Sequence, residues 1–212
     1  MNREEKQLAL EELNRREEER VKNGPLAQSA TQAVPGEGNP DADILFIGEG
    51  PGKKEDELGR PFVGAAGKFL NELIESIGLQ REDVFIANIV KHRPPGNRDP
   101  LPDEVELYKP WLEEQINIIE PKLIITLGRH SMGWLLGPNL SITAIHGQPK
   151  RRNGKVVMPM YHPAAALYRG DLRPVLKADF AKIPKVIELI DKDQGVTAAE
   201  QEEEIEKQAA LL

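Results

Sequence analysis

The stretch Asp43-Ile44-Leu45-Phe46-Ile47-Gly48-Glu49-Gly50-Pro51-Gly52 decides the expected fold class of this chain. Its first half is an apolar run of strand length, and its second half is a glycine-rich loop that carries one acid, Glu49. Open α/β folds bind their ligands at the carboxyl ends of the strands. The stretch therefore predicts a strand that delivers a carboxylate to a binding site, and the aromatic ring of Phe62 follows soon after.

Around this stretch, apolar runs of strand length alternate with helical patterns. Strands that are spaced by helices favour a parallel sheet covered on both faces. We therefore predict an α/β fold, a three-layer α/β/α sandwich with a central, mainly parallel, four-stranded sheet. The predicted strands are Ile44–Ile47, Val84–Val90, Leu123–Leu127 and Val156–Met160, and the predicted helices are Gly64–Ile77, Asp103–Ile119, Arg129–Leu136 and Leu172–Ile190.

Both ends of the chain differ in composition from its middle. Residues 1–24 are rich in Glu, Arg, Leu and Lys, and they predict a charged amphipathic helix. The main α/β domain is expected over residues 25–190, and its first part, residues 25–41, reads as an irregular connection rich in Pro, Gly and polar residues. Residues 191–212 form an acidic tail that we expect to be helical or disordered.

The composition excludes several classes of protein. The chain has 212 residues, of which 39% are hydrophobic, and this suits one compact domain with a real core. It contains no apolar run of membrane-spanning length and its first residues are charged, so we expect a cytoplasmic protein. The absence of cysteine from the sequence excludes disulfides, thiolate metal sites and cysteine nucleophiles.

The formal net charge of −7 comes mainly from the ends of the chain. Residues 1–24 hold 7 acids and 6 bases and residues 191–212 hold 7 acids and 2 bases, which leaves the middle nearly neutral. Basic side chains cluster in residues 91–98 and again in residues 150–155. Such clusters either meet phosphates or belong to solvated loops, and the charge pattern leaves both interpretations open.

Polar residues follow three of the four predicted strands. Glu49 follows the first strand, Asn88 lies at the end of the second, and His162-Pro163 follows the fourth. Because the carboxyl ends of parallel strands meet at one edge of a sheet, these side chains are expected to converge there. Each feature also has a plain structural explanation, namely a turn, a helix cap or a buried histidine.

Four motifs in a fixed order narrow the interpretation further. The motifs are Gly48–Gly52 with Glu55-Asp56, Gly59–Gly64 with Ala66-Gly67, Asn88 with Lys91, Arg93-Pro94-Pro95 and Asn97-Arg98, and His162-Pro163. Together they closely resemble the uracil-DNA glycosylase superfamily, and specifically its family four, the thermostable bacterial and archaeal type. The resemblance runs from about Val34 to about Ile190, and it implies a uracil-DNA glycosylase-like catalytic domain over residues 25–190.

The resemblance implies an enzyme that cleaves the N-glycosidic bond of uracil in DNA. Such a site must oppose the positive charge that develops on the sugar and stabilise the departing pyrimidine anion. By its motif position, Glu49 positions or activates the attacking water. His162 faces uracil O2 and stabilises the anion as a neutral imidazole, and Asn97 lies near the sugar and the water.

The resemblance also implies how the flipped base is recognised. Asn88 reads the uracil edge, and an unmatched donor at the cytosine amino group costs roughly 1 to 3 kcal/mol. Phe62 stacks on the base, a contact worth on the order of 1 to 3 kcal/mol. Gly50 offers a backbone N–H to uracil O2. Glu55 either crowds the C5 methyl group of thymine or holds the loop.

Further positions are expected to contact the DNA itself, since the bond is reached only after base flipping. The expected partner is uracil-containing DNA, single- or double-stranded, and the protein is expected to be a monomer. The basic residues would meet phosphates, and Leu167 would enter the base stack as a wedge. The predicted DNA-binding residues are Lys91, Arg93, Arg98, Leu167 and Arg169.

The chain departs from family four in one respect. That family usually holds a four-iron four-sulfur cluster on four cysteines, whereas the corresponding positions here are Val21, Gly24, His92 and Tyr108. A cluster needs thiolates, so we predict no iron–sulfur cluster and no metal site. Natural loss and engineered removal both explain this. Packing must then replace the cluster, with Tyr108 near His92 and with Trp111, Val21 and Pro25 close by.

Three other functions remain in view. A relative in the superfamily traps uracil covalently through a loop histidine, which here would be His92. A non-catalytic module that binds uracil or damaged DNA is a second alternative, although Glu49, Asn88 and His162 are all present. A nucleotide-binding enzyme is the third, but the glycine loop lacks the spacing of the known phosphate-binding motifs.

Overall fold

The computed structural model describes residues 1–193. The predicted acidic tail, residues 191–212, lies outside the described residues from position 194 onward. Among the described residues, every helix is too short or too polar to cross a lipid bilayer.

A six-stranded sheet in the order β1-β3-β2-β4-β6-β5 forms the middle layer. The four inner strands are parallel, and β1 and β5 pair antiparallel with the two outer parallel strands. The inner strands are the four that the sequence predicts, but a four-stranded sheet is wrong as a count. The strands are β1 Glu37–Gly38, β2 Ile44–Gly48, β3 Phe85–Asn88, β4 Leu123–Leu127, β5 Lys150–Arg152 and β6 Lys155–Met160.

Helices cover both faces of the sheet, as the sandwich prediction requires. The predicted helix Leu172–Ile190 is interrupted, because residues 181–182 form a turn before a further helix over residues 183–193. Residues 25–41, predicted as irregular, contain a short helix. The helices are α1 Arg3–Val21, α2 Pro25–Ser29, α3 Lys53–Leu58, α4 Ala65–Glu75, α5 Pro102–Ile119, α6 Arg129–Leu136, α7 Ile142–Ile145, α8 Ala165–Tyr168, α9 Leu172–Phe180 and α10 183–193.

Alternating side chains of the inner strands pack into two separate hydrophobic cores, because successive residues of a strand face opposite sides of the sheet. On one side, Phe46 stacks on Phe180 of α9 with ring centroids 5.7 Å apart. On the other side, Leu45 and Ile47 pack beneath α5 and α1. The sheet is thus buried on both faces, and its polar chemistry is confined to the strand ends.

The amino-terminal helix α1 is fastened to α5 by polar contacts as well as by apolar packing. The indole Nε1 of Trp111 donates to Asn14 Oδ1 at 2.9 Å. Lys6 Nζ donates to the Ile119 carbonyl at 3.0 Å and pairs with Asp41 at 2.7 Å. The charged helix that the sequence predicts is therefore an integral part of one core and not an appendage.

Candidate active site

The parallel order of the inner strands brings three predicted residues to one edge of the sheet. Glu49 directly follows β2, Asn88 ends β3, and His162 lies two residues after β6. A cavity of about 350 Å³ opens there, within the size range of small-ligand sites. Its lining includes Glu49, Gly50, Glu55, Phe62, Ala66, Asn88, Pro94, Asn97, Arg98 and His162.

The side chain of Asn88 is buried at this cavity with its carbonyl oxygen unused. Asn88 is 1% exposed, and among residues 1–193 its Oδ1 has no hydrogen-bond partner. A buried polar group without a partner is unfavourable, so the position calls for a donor from a ligand. Gly48 makes room for this amide, because a Cβ there would lie 2.3 Å from Asn88 Oδ1 and 2.7 Å from Phe62 Cζ.

Phe62 lies beside the catalytic candidates in a backbone conformation that must be held in place. Its φ of 51° is in the left-handed region, which is unfavourable for a bulky residue. Arg81 donates from Nη1 to the Phe62 carbonyl at 3.2 Å and from Nη2 to the Pro61 carbonyl. The Phe62 ring stacks on the His162 imidazole with centroids 5.5 Å apart and planes at 27°. The hydrogen bonds from Arg81 and the stacking contact with His162 thus fix the position of the Phe62 ring.

The hydrogen bonds of His162 identify its tautomer. The Ala164 backbone N–H donates to His162 Nδ1 at 3.1 Å, so Nδ1 carries a lone pair. Burial lowers the pKa of His162 to about 4, although the nearby Glu55 opposes this shift. The imidazole is therefore neutral near pH 7 with its proton on Nε2, which makes Nε2 a hydrogen-bond donor.

Glu49 lies among charged neighbours at the mouth of the cavity. Burial raises the pKa of its carboxyl, with a smaller rise from Asp99; His130 and Arg129 act in the opposite direction. His130 Nε2 lies 3.8 Å from Glu49 Oε2 and 3.1 Å from Asp99 Oδ2. The carboxyl is 27% exposed, so it remains accessible to water.

Two further predicted uracil-binding residues have defined places. Glu55 Oε1 accepts hydrogen bonds at 2.8 Å from the backbone N–H groups of Val63 and Gly64. It thereby holds the loop after Phe62, one of the two roles that the resemblance implies. Gly50 packs so closely that a Cβ there would lie 2.8 Å from Val90 Cγ2, which explains the absence of a side chain.

The proline-rich loop after β3 forms the rim of the cavity. Asn97 is exposed, has a φ of 58°, and accepts a hydrogen bond from Arg93 Nε at 2.7 Å. Arg98 donates to both carboxylate oxygens of Glu104, at 2.8 and 2.6 Å. Arg93 and Arg98 are thus held by protein partners at the rim.

Lys91 does not lie on the DNA-binding surface, and that prediction is wrong. The side chain is 0% exposed, and its Nζ donates to the Asn88 carbonyl at 2.8 Å and to Gln115 Oε1 at 2.6 Å. Burial lowers its pKa to about 7. Lys91 therefore cannot reach a phosphate, and it instead supports the backbone that carries Asn88.

The segment after His162 presents the remaining predicted DNA contacts to solvent. Leu167, on the short helix α8, is 42% exposed, and the adjacent Tyr168 is 90% exposed. Arg169 is exposed and donates to Asp171 at 2.8 Å. An exposed apolar side chain beside the cavity is consistent with a wedge.

Sequence reasoning missed Gly48, Asp99 and His130. Gly48 is part of the motif but was not singled out, although a glycine at a strand end signals a close approach. His130 lies two residues after Gly128, just beyond the end of β4. The strand-end rule, that binding residues follow the carboxyl ends of parallel strands, was applied to the other three strands and would have predicted it. Asp99 carries no signal of its own in the sequence.

Glu49, Asp99 and His130 also have the spacing of metal ligands. Within residues 1–193 they are the group of this kind whose ligand atoms all lie within 4.8 Å of one another. However, Arg129 already donates to Asp99 Oδ2 and to His130 Nε2, each at 2.9 Å. Since the Arg129 guanidinium already occupies the Asp99 oxygen and the His130 nitrogen that a metal would need, we interpret the group as a polar network and not as a metal centre.

The four positions that correspond to the cluster cysteines do not fit an iron–sulfur cluster. His92 Nδ1 and Tyr108 Oη are hydrogen-bonded at 2.7 Å, which confirms that these residues lie close together. Val21 is 1% exposed in the core, and a Cβ at Gly24 would lie 2.7 Å from Leu107 Cδ2. The four residues supply no thiolate, which an iron–sulfur cluster needs.

Comparison with known proteins identifies the family of the chain. The family model described as "Uracil DNA glycosylase superfamily" matches residues 35–183. The type-4 uracil-DNA glycosylase of Sulfurisphaera tokodaii is 53% identical over 167 residues, which cover 74% of this chain and 76% of the relative. That of Saccharolobus solfataricus is 52% identical over 164 residues, 73% of this chain and 76% of the relative.

A bacterial relative matches over a still larger share of both chains. The type-4 uracil-DNA glycosylase of Thermotoga maritima is 44% identical over 184 residues, which cover 84% of this chain and 96% of the relative. The family match, these identities and the strand-end site lead to one assignment: the chain belongs to the uracil-DNA glycosylase superfamily, in its type-4 family.

Proposed function

We propose that this protein flips uracil out of DNA and hydrolyses its N-glycosidic bond, which leaves an abasic site and free uracil for base excision repair. The observation that carries the proposal is the buried Asn88 Oδ1, which lacks a partner among the described residues. The N3–H group of uracil is a donor of the matching kind. Cytosine has a lone pair at N3, so a cytosine bound in the same orientation would offer this acceptor no donor at that position.

The chemistry requires one water and one leaving group. The water oxygen forms a bond to sugar C1′, the C1′–N1 bond breaks with its electron pair going to uracil, and the water proton passes to Glu49. His162 Nε2–H donates to uracil O2 as negative charge develops there. The neutral tautomer of His162 supports this role, because its Nδ1 is already engaged by the Ala164 N–H.

Recognition of the flipped base rests on the cavity walls. Phe62 offers an aromatic face for stacking, and Gly48 leaves space over the Asn88 amide. Asn97 at the rim fits a role near the sugar and the attacking water. Glu55 holds the loop that follows Phe62, so we assign it to shaping the site.

For DNA contacts we propose Arg93, Arg98, Leu167 and Arg169. The guanidinium of Arg98 is 39% exposed and that of Arg169 is 66% exposed, so each could exchange its carboxylate partner for a phosphate. Leu167 would fill the space that the flipped nucleotide leaves in the stack. The substrate is uracil-containing DNA, either single- or double-stranded.

Release of free uracil tests the proposal directly. Purified protein is mixed with an oligonucleotide that carries a labelled uracil, and a matched thymine oligonucleotide serves as the control. We expect uracil release by the wild type, and a loss of about a hundredfold or more in Glu49→Gln and His162→Ala. The proposal fails if the wild type releases no uracil or if both variants match it.

A covalent uracil trap is the second candidate, and the position of His92 argues against it. His92 is 4% exposed, its Nδ1 is bonded to Tyr108, and burial lowers its pKa. A reactive histidine would need access to the sugar. A denaturing gel of the protein with uracil-containing DNA separates the candidates, because only the trap leaves a protein–DNA band.

We further propose that the enzyme works without an iron–sulfur cluster and as a monomer. The fitted packing around His92 and Tyr108 supports the first point. For the second, apart from Leu167 and Tyr168 on α8, the large exposed hydrophobic residues of the described chain, such as Leu8, Leu58 and Leu140, are spread over separate parts of the fold. Light scattering on the purified protein measures the oligomeric state. The cytoplasmic location stays a prediction.

A further inference from the structure

The carboxyl end of β4 supplies a polar pair that the proposed chemistry does not yet use. His130 lies in the first turn of α6, and Asp99 lies in the loop before α5, so the two reach Glu49 from separate elements. Asp99 Oδ2 is 3.1 Å from His130 Nε2, and the same nitrogen is 3.8 Å from Glu49 Oε2. The imidazole thus lies between the two carboxylates, within hydrogen-bond distance of Asp99 and somewhat farther from Glu49.

The Nε2 nitrogen of His130 has competing hydrogen-bond partners. Arg129 Nε also points at His130 Nε2, at 2.9 Å. A ring nitrogen carries either a proton or a lone pair, so it cannot accept from Arg129 and donate to a carboxylate at the same time. The position of a single proton on His130 therefore decides whether this imidazole faces Glu49 and Asp99 as a donor.

We propose that Asp99 and His130 are positioning residues for Glu49, and that the His130 imidazole, held by Asp99, orients the Glu49 carboxyl group toward the attacking water. This inference rests on the proposed function. Glu49 directly follows β2 at the mouth of the cavity, and the groups near its carboxyl group come from other elements. Two of them are the His130 imidazole and the carboxyl group of Asp99.

The charged and titratable groups that face Glu49 make the test specific. They are His130 and Arg129 on α6, Arg98 and Asp99 in the loop before α5, and Glu55 and His162, which line the same cavity. His130 lowers the pKa of Glu49, and Asp99 raises it. Removal of one partner should therefore shift the acid limb of the pH–rate profile in the opposite direction from removal of the other.

The experiment measures single-turnover uracil release against pH for wild type, His130→Gln and Asp99→Asn. We expect the acid limb to move to higher pH in His130→Gln and to lower pH in Asp99→Asn. In His130→Gln the plateau rate should also fall about tenfold, with the apparent affinity for DNA unchanged. The exposed Glu12→Gln change on α1 is the charge control and should move neither limb.

Both variants should fold, because the side chains of His130 and Asp99 are 34% and 59% exposed. The inference is overturned if neither acid limb moves, or if both move in the same direction. These results differ from failure of the proposed function, in which the wild type itself releases no uracil. A purely structural role would lower the plateau rates without opposed shifts of the two limbs.

Discussion

The His92 imidazole donates to, or accepts from, the Tyr108 hydroxyl across 2.7 Å, and this contact joins the loop after β3 to helix α5. Both side chains are buried, and the Tyr108 ring stacks on Trp111 with centroids 6.4 Å apart. These two residues stand at two of the four positions where the resemblance to family four implies cluster cysteines. Here a hydrogen bond and aromatic packing link the same two parts of the chain.

Tyr108→Phe tests that link. The change keeps the ring but leaves His92 Nδ1 without its hydroxyl partner, which should lower the free energy of unfolding by about 1 to 3 kcal/mol. At a temperature well below the unfolding transition, the rate of uracil release should equal that of the wild type. The effect of an iron chelator on that rate should also be the same for both enzymes. Urea unfolding gives the measurement, with the exposed Tyr168→Phe as control. Equal stability of the two variants would contradict the prediction.

Gly48→Ala should block the base pocket without unfolding the protein. The new methyl group would lie 2.3 Å from Asn88 Oδ1 and 2.7 Å from Phe62 Cζ, so one of these groups must move. We expect kcat/KM for uracil release to fall by about a hundredfold or more. Gly133→Ala on α6 is the matched control, because the nearest atom to its Cβ lies at 3.9 Å. A Gly48→Ala enzyme of normal activity would show that the cavity is not the base site.

Arg81→Lys should weaken the contacts that hold the backbone of Phe62 in place. Lysine keeps a positive charge facing Glu37 but loses the fork that holds the carbonyls of Pro61 and Phe62. Because Phe62 sits at a φ of 51°, we expect its ring to lose its place and kcat/KM to fall about tenfold.

Arg60→Lys is the matched control for this change. Arg60 also pairs with Glu37, at 2.7 Å, but it is 59% exposed and should tolerate the substitution. Steady-state kinetics with a uracil oligonucleotide compare the two variants. The assigned role of Arg81 is wrong if the two lose activity equally.

Lys91 should make stability depend on pH. Its folded-state pKa is about 7, below the ordinary value of about 10.4, so the unfolded chain binds more protons between these values. The free energy of unfolding should therefore rise with pH in that window, by up to about 1.4 kcal/mol per pH unit. Below about pH 7 both states hold the proton, and this dependence ends.

Comparison with Lys91→Met isolates the effect from other titrating groups. The difference in unfolding free energy between wild type and Lys91→Met should vary with pH through the window, whereas the difference between wild type and the exposed Lys68→Met should stay constant. Urea denaturation at several pH values gives both differences. A flat difference for Lys91→Met would mean that the buried amine keeps its proton in both states.

The sequence was sufficient for the parallel centre of the fold. Leu123–Leu127 is a run of apolar residues interrupted only by Thr126, and the structure places β4 over those same residues. The edge strands β1 and β5 were not predicted, because they are too short and too polar to show the apolar pattern of a strand. Glu37–Gly38 has two residues, and Lys150–Arg152 consists of three cations. Their pairing depends on neighbours that the local sequence does not contain.

The candidate site, like the fold, could be predicted from the sequence only in part. Glu49, Asn88 and His162 were predicted to converge because the strand-end rule depends only on parallel strands. The burial of Lys91 depends on Gln115 from helix α5, and nothing in the local motif shows that contact. The approach of His130 to Glu49 follows from β4 lying next to β2 in the sheet, an order that alternation of strands and helices does not determine.

The unpaired oxygen of Asn88 also bears on how the reaction ends. Among residues 1–193 nothing donates to that oxygen. Under the proposed function, free uracil carries the same N3–H group as the base in DNA, so we expect it to satisfy the same acceptor after the bond is cut. We therefore expect the site to retain affinity for its own product, and departure of the free base to be a step that can limit turnover.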